Sequence, residues 1–326
     1  MRALLKDNRG FALILTILVI SLIVMLTLQF NVSMRTDLTS SVNFKDGVLL
    51  NAIARSGFNC AMGLLAEDGA TSEFDSLNEM WAQSEGFSEI SGSMFEEGRF
   101  MVEIADLSGR IQINQLVDMN GEVITAQREL LERFLGSEEF GMEPDAVVTL
   151  VDAIKDWIDP DDEVTRFGAE NGHYGSQEKP YSCGNAPLEF LSELLLIRGM
   201  TKELFYGTKE LPGISVYLSV CGDGRININT APPLVLKALS EGLDDEMVEE
   251  MLSYRMDKKN DLANPNWYRG IPGLGDVTID PSLISTSSSC FEIKSTGIKD
   301  SMRKVITGKI TREKGSEVRI LSWKIE

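Results

Sequence analysis

An uninterrupted apolar run near the N-terminus constrains this chain more than any other feature of its sequence. No charged residue occurs from Phe11 to Met34, and Leu, Ile and Val dominate the run. A helix needs about 20 apolar residues to cross a hydrocarbon core about 30 Å thick, so this run is long enough to span a membrane. Three basic residues and one acidic residue precede it. The positive-inside rule therefore predicts a cytoplasmic N-terminus, with everything after Asn31 on the other side.

The junction before the run, Gly10 followed by Phe11, resembles a class III (type IV prepilin-like) leader. In that family a membrane peptidase cuts after the Gly and methylates the new N-terminus. A plain signal anchor is an alternative, whereas a cleaved secretory signal would need a shorter apolar region and a small-residue cleavage site. Leu15 occupies the fifth mature position, where pilin-like proteins usually have Glu. Either the chain is not a pilin, or it is a subunit at a filament tip with no neighbour above it.

The charge balance argues against nucleic acid as a partner. The formal net charge is −19, and residues 67–103 contain ten acidic residues but only one basic residue, Arg99. Phosphate binding requires a cationic surface. An anionic chain suits a divalent cation or a basic partner, although net charge also serves solubility alone.

The four cysteines do not form a zinc-binding pattern. They lack C-x-x-C spacing, and His173 is the only histidine, which is most simply a surface loop residue. In an oxidising compartment one or two disulfides are expected, and four cysteines allow three pairings. We expect a pair between Cys183 and Cys221, which flank the same central region, with free buried thiols as the alternative.

The pattern of apolar residues predicts an α+β fold. A long helix is expected over 11–66 because apolar residues continue at helical spacing beyond the membrane run. Alternation predicts a hairpin of 99–106 with 109–114, and three more strands near 290–294, 303–312 and 318–324. We therefore predict a long N-terminal helix packed on an antiparallel sheet, an arrangement that resembles the pilin-like core implied by the prepilin-like leader.

A helical block interrupts this α+β unit. Amphipathic helices are predicted at 126–135, 144–157, 187–197, 232–239 and 244–258, and prolines 144, 187 and 232 lie at helix starts. The predicted organisation is a leader (1–10), the membrane and extended helix (11–66), the first part of the pilin-like core (67–118), an inserted all-α domain (119–283) and the C-terminal strands (284–326).

Two short segments of the helical block repeat each other. The segment 109–114 (GRIQIN) matches 224–229 (GRININ) about 115 residues later, which suggests two related subdomains. Residues 226–231 and 270–276 resemble helix-hairpin-helix entries, so the subdomains are expected to be helix-hairpin-helix or SAM-like. Acidic residues crowd the helix that follows 226–231, which favours packing or protein interaction over DNA binding.

The richest acidic segment runs from Asp156 to Tyr174 and is broken by Pro and Gly. Ca²⁺ takes 6–8 oxygen ligands from carboxylates, amides and carbonyls. A bent loop could gather several such oxygens, although the spacing is not that of an EF-hand and a solvated acidic loop is the alternative. The predicted calcium ligands are Asp159, Asp161, Asp162, Glu170 and Asn171.

Together these features resemble one family, the K-type minor pseudopilins of type II secretion (general secretion pathway protein K). The resemblance covers most of the chain in the same order. It rests on Gly10/Phe11 with Leu15, residues 156–161 (DWIDPD), 168–170 (GAE), Tyr174, Pro180-Tyr181, Asn185, Glu193-Leu194 and 226–231 (ININTA).

The resemblance implies a non-enzymatic subunit at the tip of a periplasmic pseudopilus. Its implied partners are the I- and J-type minor pseudopilins, the major pseudopilin and the prepilin peptidase, with a single pass through the inner membrane and the bulk of the chain in the periplasm. Calcium in the inserted domain is a trait of the family. The alternative function is a minor pilin of a type IV pilus or DNA-uptake system. A membrane-anchored periplasmic enzyme, the third class, lacks a catalytic constellation in this sequence.

Overall fold

The structure, a computed structural model, describes residues 9–83, 85–313 and 317–326. One long helix, α1 (Arg9–Thr71), precedes all other elements. At about 1.5 Å per residue its 63 residues extend over about 95 Å. Among the described residues, the segment Gly10–Thr71 is long and apolar enough to cross a membrane. Most of the predicted leader, residues 1–8, lies outside the described residues.

The helical block contains short elements rather than long helices. A short helix, α2 (Glu85–Ser91), precedes the sheet. The α-helices of the block are α3 (Thr125–Leu135), α4 (Pro144–Ile158), α5 (Asn171–Tyr174), α6 (Lys202–Tyr206), α7 (Pro233–Ala238) and α8 (Asp245–Met256). Five 3₁₀ turns lie at Ile113–Leu116, Glu138–Phe140, Leu191–Leu196, Ile214–Tyr217 and Trp267–Gly270. The helix predicted over 187–197 is reduced to one of these turns. Leu188 is held outside it, because its backbone N–H donates to Asn114 Oδ1 at 2.8 Å.

The strands form one antiparallel sheet and two parallel pairs. They are β1 (Arg99–Asp106), β2 (Ile111–Gln112), β3 (Leu218–Ser219), β4 (Ile226–Asn227), β5 (Ile284–Ser285), β6 (Cys290–Lys299), β7 (Met302–Arg312) and β8 (Val318–Ile325). The four-stranded sheet has the order β1-β6-β7-β8, and the parallel pairs are β2 with β3 and β4 with β5.

The predicted hairpin of 99–106 with 109–114 is therefore wrong. β1 pairs with β6, so that Asp106 lies opposite Phe291. The chain leaves the sheet after β1 because Gly109 packs against Thr230 and Ala231 of the helical block, where an added Cβ would lie 2.7 Å from Thr230 Oγ1. Local alternation predicted both strands but could not identify a partner almost 200 residues away.

Two separate hydrophobic cores hold the molecule together. The smaller core packs the outer part of α1 on one face of the antiparallel sheet; it includes Ile53, Phe58, Leu65, Phe100 and Phe291. The larger core contains apolar residues from Ile111 to Ile284. Ile111 and Ile113 precede the predicted domain boundary at 119, yet they pack in the larger core. The long helix on an antiparallel sheet, with a helical unit between its strands, confirms the predicted α+β fold. The inserted unit is mainly helical but not all-α as predicted, because β3 and β4 lie within it.

A buried polar junction joins the two cores. Arg312 of β7 binds Asp68 at the end of α1 at 2.9 Å and also Asp75, which accepts a hydrogen bond from the backbone of Ser288 at 2.6 Å. Asn227 of β4 donates to the carbonyl oxygen of Asp75 at 3.1 Å. Because buried charges are stable only when paired, this network fixes how the helical unit sits on the sheet.

The predicted Cys183–Cys221 disulfide is wrong. Cys221, which follows β3, bonds to Cys290 at the start of β6, with 6.2 Å between their Cα atoms. Cys183 is a buried free thiol, and its Sγ lies 3.4 Å from the carbonyl oxygen of Asp156. The Cys221–Cys290 bond thus joins the helical unit to the sheet, whereas Cys183 packs against the acidic segment at Asp156.

Candidate metal centre

A group of buried carboxylates lies where α4 ends. Asp156 is in the last turn of α4, Asp159 follows the helix, and Glu170 immediately precedes α5. One carboxylate oxygen from each lies within 4.8 Å of the others. Asp156 and Asp159 are 0 % exposed and Glu170 is 2 % exposed. We call these three residues the acidic centre.

The local sequence explains how these carboxylates meet. Asp156 and Asp159 are three residues apart, which places both on one side of the last helical turn. The chain then returns through a loop that Asp156 holds, because the backbone N–H of Thr165 donates to both carboxylate oxygens at 3.1 and 3.0 Å. Gly168 passes so close that an added Cβ would lie 2.0 Å from Asp156 Oδ2. Glu170 can reach the centre only because residue 168 lacks a side chain.

Several oxygens of the acidic centre lack hydrogen-bond donors. Within the described ranges, Asp159 Oδ1 and both carboxylate oxygens of Glu170 are buried without a partner, and so is Asn185 Oδ1 on the adjoining loop. Burial raises the pKa of Glu170 to about 7, although the thiol of Cys183 opposes this shift, and burial also raises the pKa of Asp156 and Asp159. The Cys183 thiol itself is directed at the carbonyl oxygen of Asp156 and leaves the Glu170 oxygens unpaired. A buried carboxylate without a donor is costly, so this arrangement can bind a cation.

Two basic groups border the acidic centre. The ammonium group of Lys155 binds Asp159 Oδ2 and lies 3.7 Å from Asp156 Oδ1, with its side chain 11 % exposed. Burial opposes the charged amine, but the hydrogen bond and charge of Asp159 hold the pKa of Lys155 above its usual value. Arg128 pairs instead with Asp152, one turn back along α4, at 2.6 Å.

The remaining predicted ligands organise the loop and do not join the acidic centre. Asp161 and Asp162 are exposed. Asp161 Oδ1 accepts a hydrogen bond from Glu163 N at 2.8 Å, and Asp162 Oδ1 accepts one from Asn171 Nδ2 at 2.9 Å. Asn171 Oδ1 accepts from Cys183 N at 2.8 Å. The structure thus brings Asp159 and Glu170 together as expected and adds Asp156, which the predicted set omitted.

A second group of acids, Asp68, Asp75 and Glu79, already receives hydrogen bonds from the chain itself. Arg312 binds the first two. Glu79 accepts hydrogen bonds from Ser72, Ser76 and Trp81 of its own loop. These acids belong to the junction between the two cores.

The residues predicted for processing and filament position lie in the exposed first turns of α1. Gly10 and Phe11 lie at the exposed start of α1, and Leu15 is exposed within it. Phe11 and Leu15 are 70% and 51% exposed, and no atom lies within 4 Å of a Cβ added at Gly10.

The helical unit matches two family models. "T2SSK_1st: Type II secretion system (T2SS), protein K" matches residues 109–212, and "T2SSK: Type II secretion system (T2SS), protein K" matches residues 226–278. The first match contains the whole acidic centre. The first model begins at the first repeated segment, and the second model begins within the second repeated segment.

Full-length relatives and one solved structure agree with these matches. The type II secretion system protein K of Pseudomonas aeruginosa is 24% identical over 97% of this chain and 92% of its own length. That of Klebsiella pneumoniae is 28% identical over 69% of this chain and 67% of its own length. A chain of the GspK-GspI-GspJ complex from enterotoxigenic Escherichia coli shares the fold, with a TM-score of 0.67, 17% identity, and coverage of 88% of this chain and 98% of that chain. The chain belongs to the protein K family of type II secretion systems and is a minor pseudopilin.

Proposed function

We propose that this chain occupies the tip of a type II secretion pseudopilus, where it starts or caps assembly and supports the export of folded proteins across the outer membrane. The observation that carries the proposal is the shape of the molecule. Only the outer part of α1 packs on the sheet, the first 44 residues of the chain contribute no buried residue among those described, and a bulky helical unit follows. A helix exposed along one end suits lateral packing, whereas the helical unit suits a filament end rather than a slim shaft.

Leu15 supports a terminal position. In pilin-like filaments the usual Glu at this place is thought to meet the amine of a neighbouring subunit. A carboxylate without that partner would cost about 2.5 kcal/mol or more in lipid. An apolar Leu15 avoids this cost in a subunit that has no neighbour above it.

The proposed partners are the I- and J-type minor pseudopilins, which would pack along the exposed part of α1, and the major pseudopilin below them. The inner membrane would hold α1 before assembly, with the remaining chain in the periplasm. Prepilin peptidase would cut between Gly10 and Phe11, and Phe11 would be methylated. Apolar side chains along α1, including Leu38, Phe44 and Val48, are exposed and available for such contacts.

Counting copies in isolated pseudopili tests the position. We expect about one copy per filament, co-purification with two smaller pseudopilins, and a mature mass that begins at Phe11. Copies distributed along the shaft would contradict the tip position, and an intact Met1 in assembled filaments would contradict the processing.

We also propose that the acidic centre binds Ca²⁺. The donors are oxygens of Asp156, Asp159 and Glu170, which suit a hard cation. The support is that several of these buried oxygens have no donor, so that an ion would satisfy them. The ion would link the end of α4 to the segment before α5 and so stabilise the helical unit.

Thermal unfolding of the full chain in nonionic detergent tests the calcium proposal. An ion at 100 times its Kd stabilises the folded state by about 2.7 kcal/mol, which corresponds to roughly 5–10 °C for a unit of this size. Glu170→Gln should abolish most of this shift without lowering the melting temperature in chelator, because it removes a buried charge. Glu163→Gln, which alters an exposed acid of the same loop, is the control. Equal melting temperatures in calcium and chelator would favour a solvated acidic loop.

A further inference from the structure

The acidic centre is bordered by Lys155, a basic residue that a simple calcium site does not require. Lys155 lies on α4, four residues before Asp159, and its ammonium group binds Asp159 Oδ2. It also faces Asp156 Oδ1 at 3.7 Å. A lysine amine is rarely buried unless it is paired, and a flexible side chain would reach solvent if the site did not hold it.

The contacts of Lys155 leave part of the centre open. The amine occupies Asp159 Oδ2, whereas Asp159 Oδ1 and both oxygens of Glu170 have no donor within the described part of the chain. The lysine thus offsets one negative charge of the centre and leaves the unpaired oxygens free. It also fixes the rotamer of Asp159, since one carboxylate oxygen is held and the other remains free.

The charges of the centre can be counted directly. When ionised, Asp156, Asp159 and Glu170 carry three negative charges and Lys155 carries one positive charge. Asp152 does not enter the count because Arg128 pairs with it. The ionised centre and Lys155 together therefore have a net charge of minus two, which one divalent cation neutralises. Uncompensated charge in a buried site is costly, so this balance favours a divalent ion over a monovalent or trivalent ion.

We infer that Lys155 is a built-in fixed charge that matches the acidic centre to a divalent cation and stays in place when the ion binds. The inference rests on the proposed calcium site. The repulsion between the ammonium group and a bound ion grows with the charge of the ion. Lys155 therefore weakens the binding of a trivalent ion more than it weakens the binding of Ca²⁺.

The test compares Ca²⁺ and Tb³⁺ on the full chain in nonionic detergent. Calcium binding is measured by calorimetry, and Tb³⁺ binding by luminescence sensitised through the nearby Trp157, whose ring stacks edge-on against Tyr174 at 5.2 Å. The measured quantity is the ratio of the two dissociation constants, which cancels changes in site geometry that affect both ions equally. Lys155→Met should shift this ratio towards Tb³⁺ by about tenfold or more. Tb³⁺ carries one more positive charge than Ca²⁺, so removing the ammonium group relieves more repulsion for Tb³⁺ than for Ca²⁺.

Three variants complete the design. Lys155→Gln keeps a hydrogen-bond donor for Asp159 without the charge and should shift the ratio as Met does. Lys155→Arg keeps the charge and should leave the ratio within about twofold of the original chain. Lys179→Met removes an exposed lysine of the following loop and should likewise have little effect, because solvent and salt screen exposed charges.

The outcomes separate the inference from the calcium proposal. If the original chain binds Ca²⁺ but the Met and Gln variants keep its ratio, Lys155 is not the selectivity charge and the calcium site still stands. If the original chain binds no Ca²⁺ at the centre, both proposals fail. Should the neutral variants fold only with metal, the concentrations of Ca²⁺ and Tb³⁺ that give half-maximal folding provide the same ratio.

Discussion

At the scale of single residues, the acidic centre depends on positions that bear no charge. Gly168, two residues before Glu170, packs directly against the Asp156 carboxylate. Arg198 donates to the carbonyl oxygen of Gly168 at 3.2 Å. Trp157, which follows Asp156, packs edge-on against Tyr174 of α5. The carboxylates are thus positioned by close packing as well as by hydrogen bonds.

Gly168→Ala should disturb the centre directly. The new Cβ would lie 2.0 Å from Asp156 Oδ2 and 2.9 Å from the carbonyl oxygen of Asp152, so the loop must move. Overpacking of this kind typically costs about 1–3 kcal/mol. We expect a lower melting temperature and a smaller stabilisation by calcium. Gly172→Ala is the matched control, since no atom lies within 4 Å of its added Cβ; equal behaviour of the two variants would contradict the prediction.

The sequence predicted part of this centre and missed part for an identifiable reason. Asp159 and Glu170 were expected as ligands from their position in a Pro- and Gly-broken acidic segment. Asp156 begins the same acidic segment but was not among the predicted ligands. The three-residue spacing of Asp156 and Asp159 on one helical face was the available signal. The roles of Asp161 and Asp162 in the loop depend on backbone geometry, which composition does not encode.

At the scale of elements, the end of β1 connects the sheet to the helical unit. Asp106 Oδ2 accepts hydrogen bonds from Ser288 Oγ and Thr230 Oγ1, both at 2.5 Å. Thr230 directly follows the second repeated segment, and Ser288 precedes β6. The first repeated segment contacts the second as well, because Gln112 Nε2 donates to the carbonyl oxygen of Arg225 at 2.9 Å.

The repeat shows what could be predicted at this scale. It predicted two equivalent extended segments, and each does form a short strand, β2 and β4, in a parallel pair. The α1 helix and the outer strands were likewise predicted because their periodicities are local. Strand partners were not predicted correctly, since β1 pairs with a strand that follows the whole helical unit.

Asp106→Asn should change the pH dependence of stability. Burial raises the pKa of Asp106 to about 6 from 3.8, although its hydrogen bonds to Ser288 and Thr230 oppose the shift. Because the folded state binds this proton more tightly than the unfolded state, Asp106 lowers stability as pH rises from about 4 to about 6. The loss is roughly 2–3 kcal/mol and is complete above pH 6.

The variant lacks this titration. Its melting temperature relative to the original chain should therefore increase between pH 4 and pH 6.5, measured by thermal unfolding in matched buffers. Glu103→Gln alters an exposed acid of the same strand, whose contact with Lys294 at 3.0 Å is at the surface, and serves as the control. A difference between Asp106→Asn and the original chain that is independent of pH would contradict the prediction.

At the scale of the whole molecule, the position of the helical unit on the sheet depends on the connections between the two hydrophobic cores. The polar junction around Arg312 and Asp75 is one connection. The Cys221–Cys290 disulfide is the second, since it joins the loop after β3 to the first residue of β6. An oxidising compartment, as proposed for the bulk of this chain, would allow this disulfide to persist.

Removing the disulfide should destabilise the molecule substantially. The two cysteines are 69 residues apart in sequence, and closing a loop of that length restricts the unfolded chain by about 4 kcal/mol in the chain-entropy description, with 2–4 kcal/mol typically observed. We expect Cys221→Ala with Cys290→Ala to lower the denaturant midpoint of the full chain, and reduction of the original chain to lower it similarly. Cys60→Ala, which removes a half-buried free thiol on α1, should have the smaller effect. A double variant as stable as the original chain would mean that the junction around Arg312 alone keeps the two cores in register.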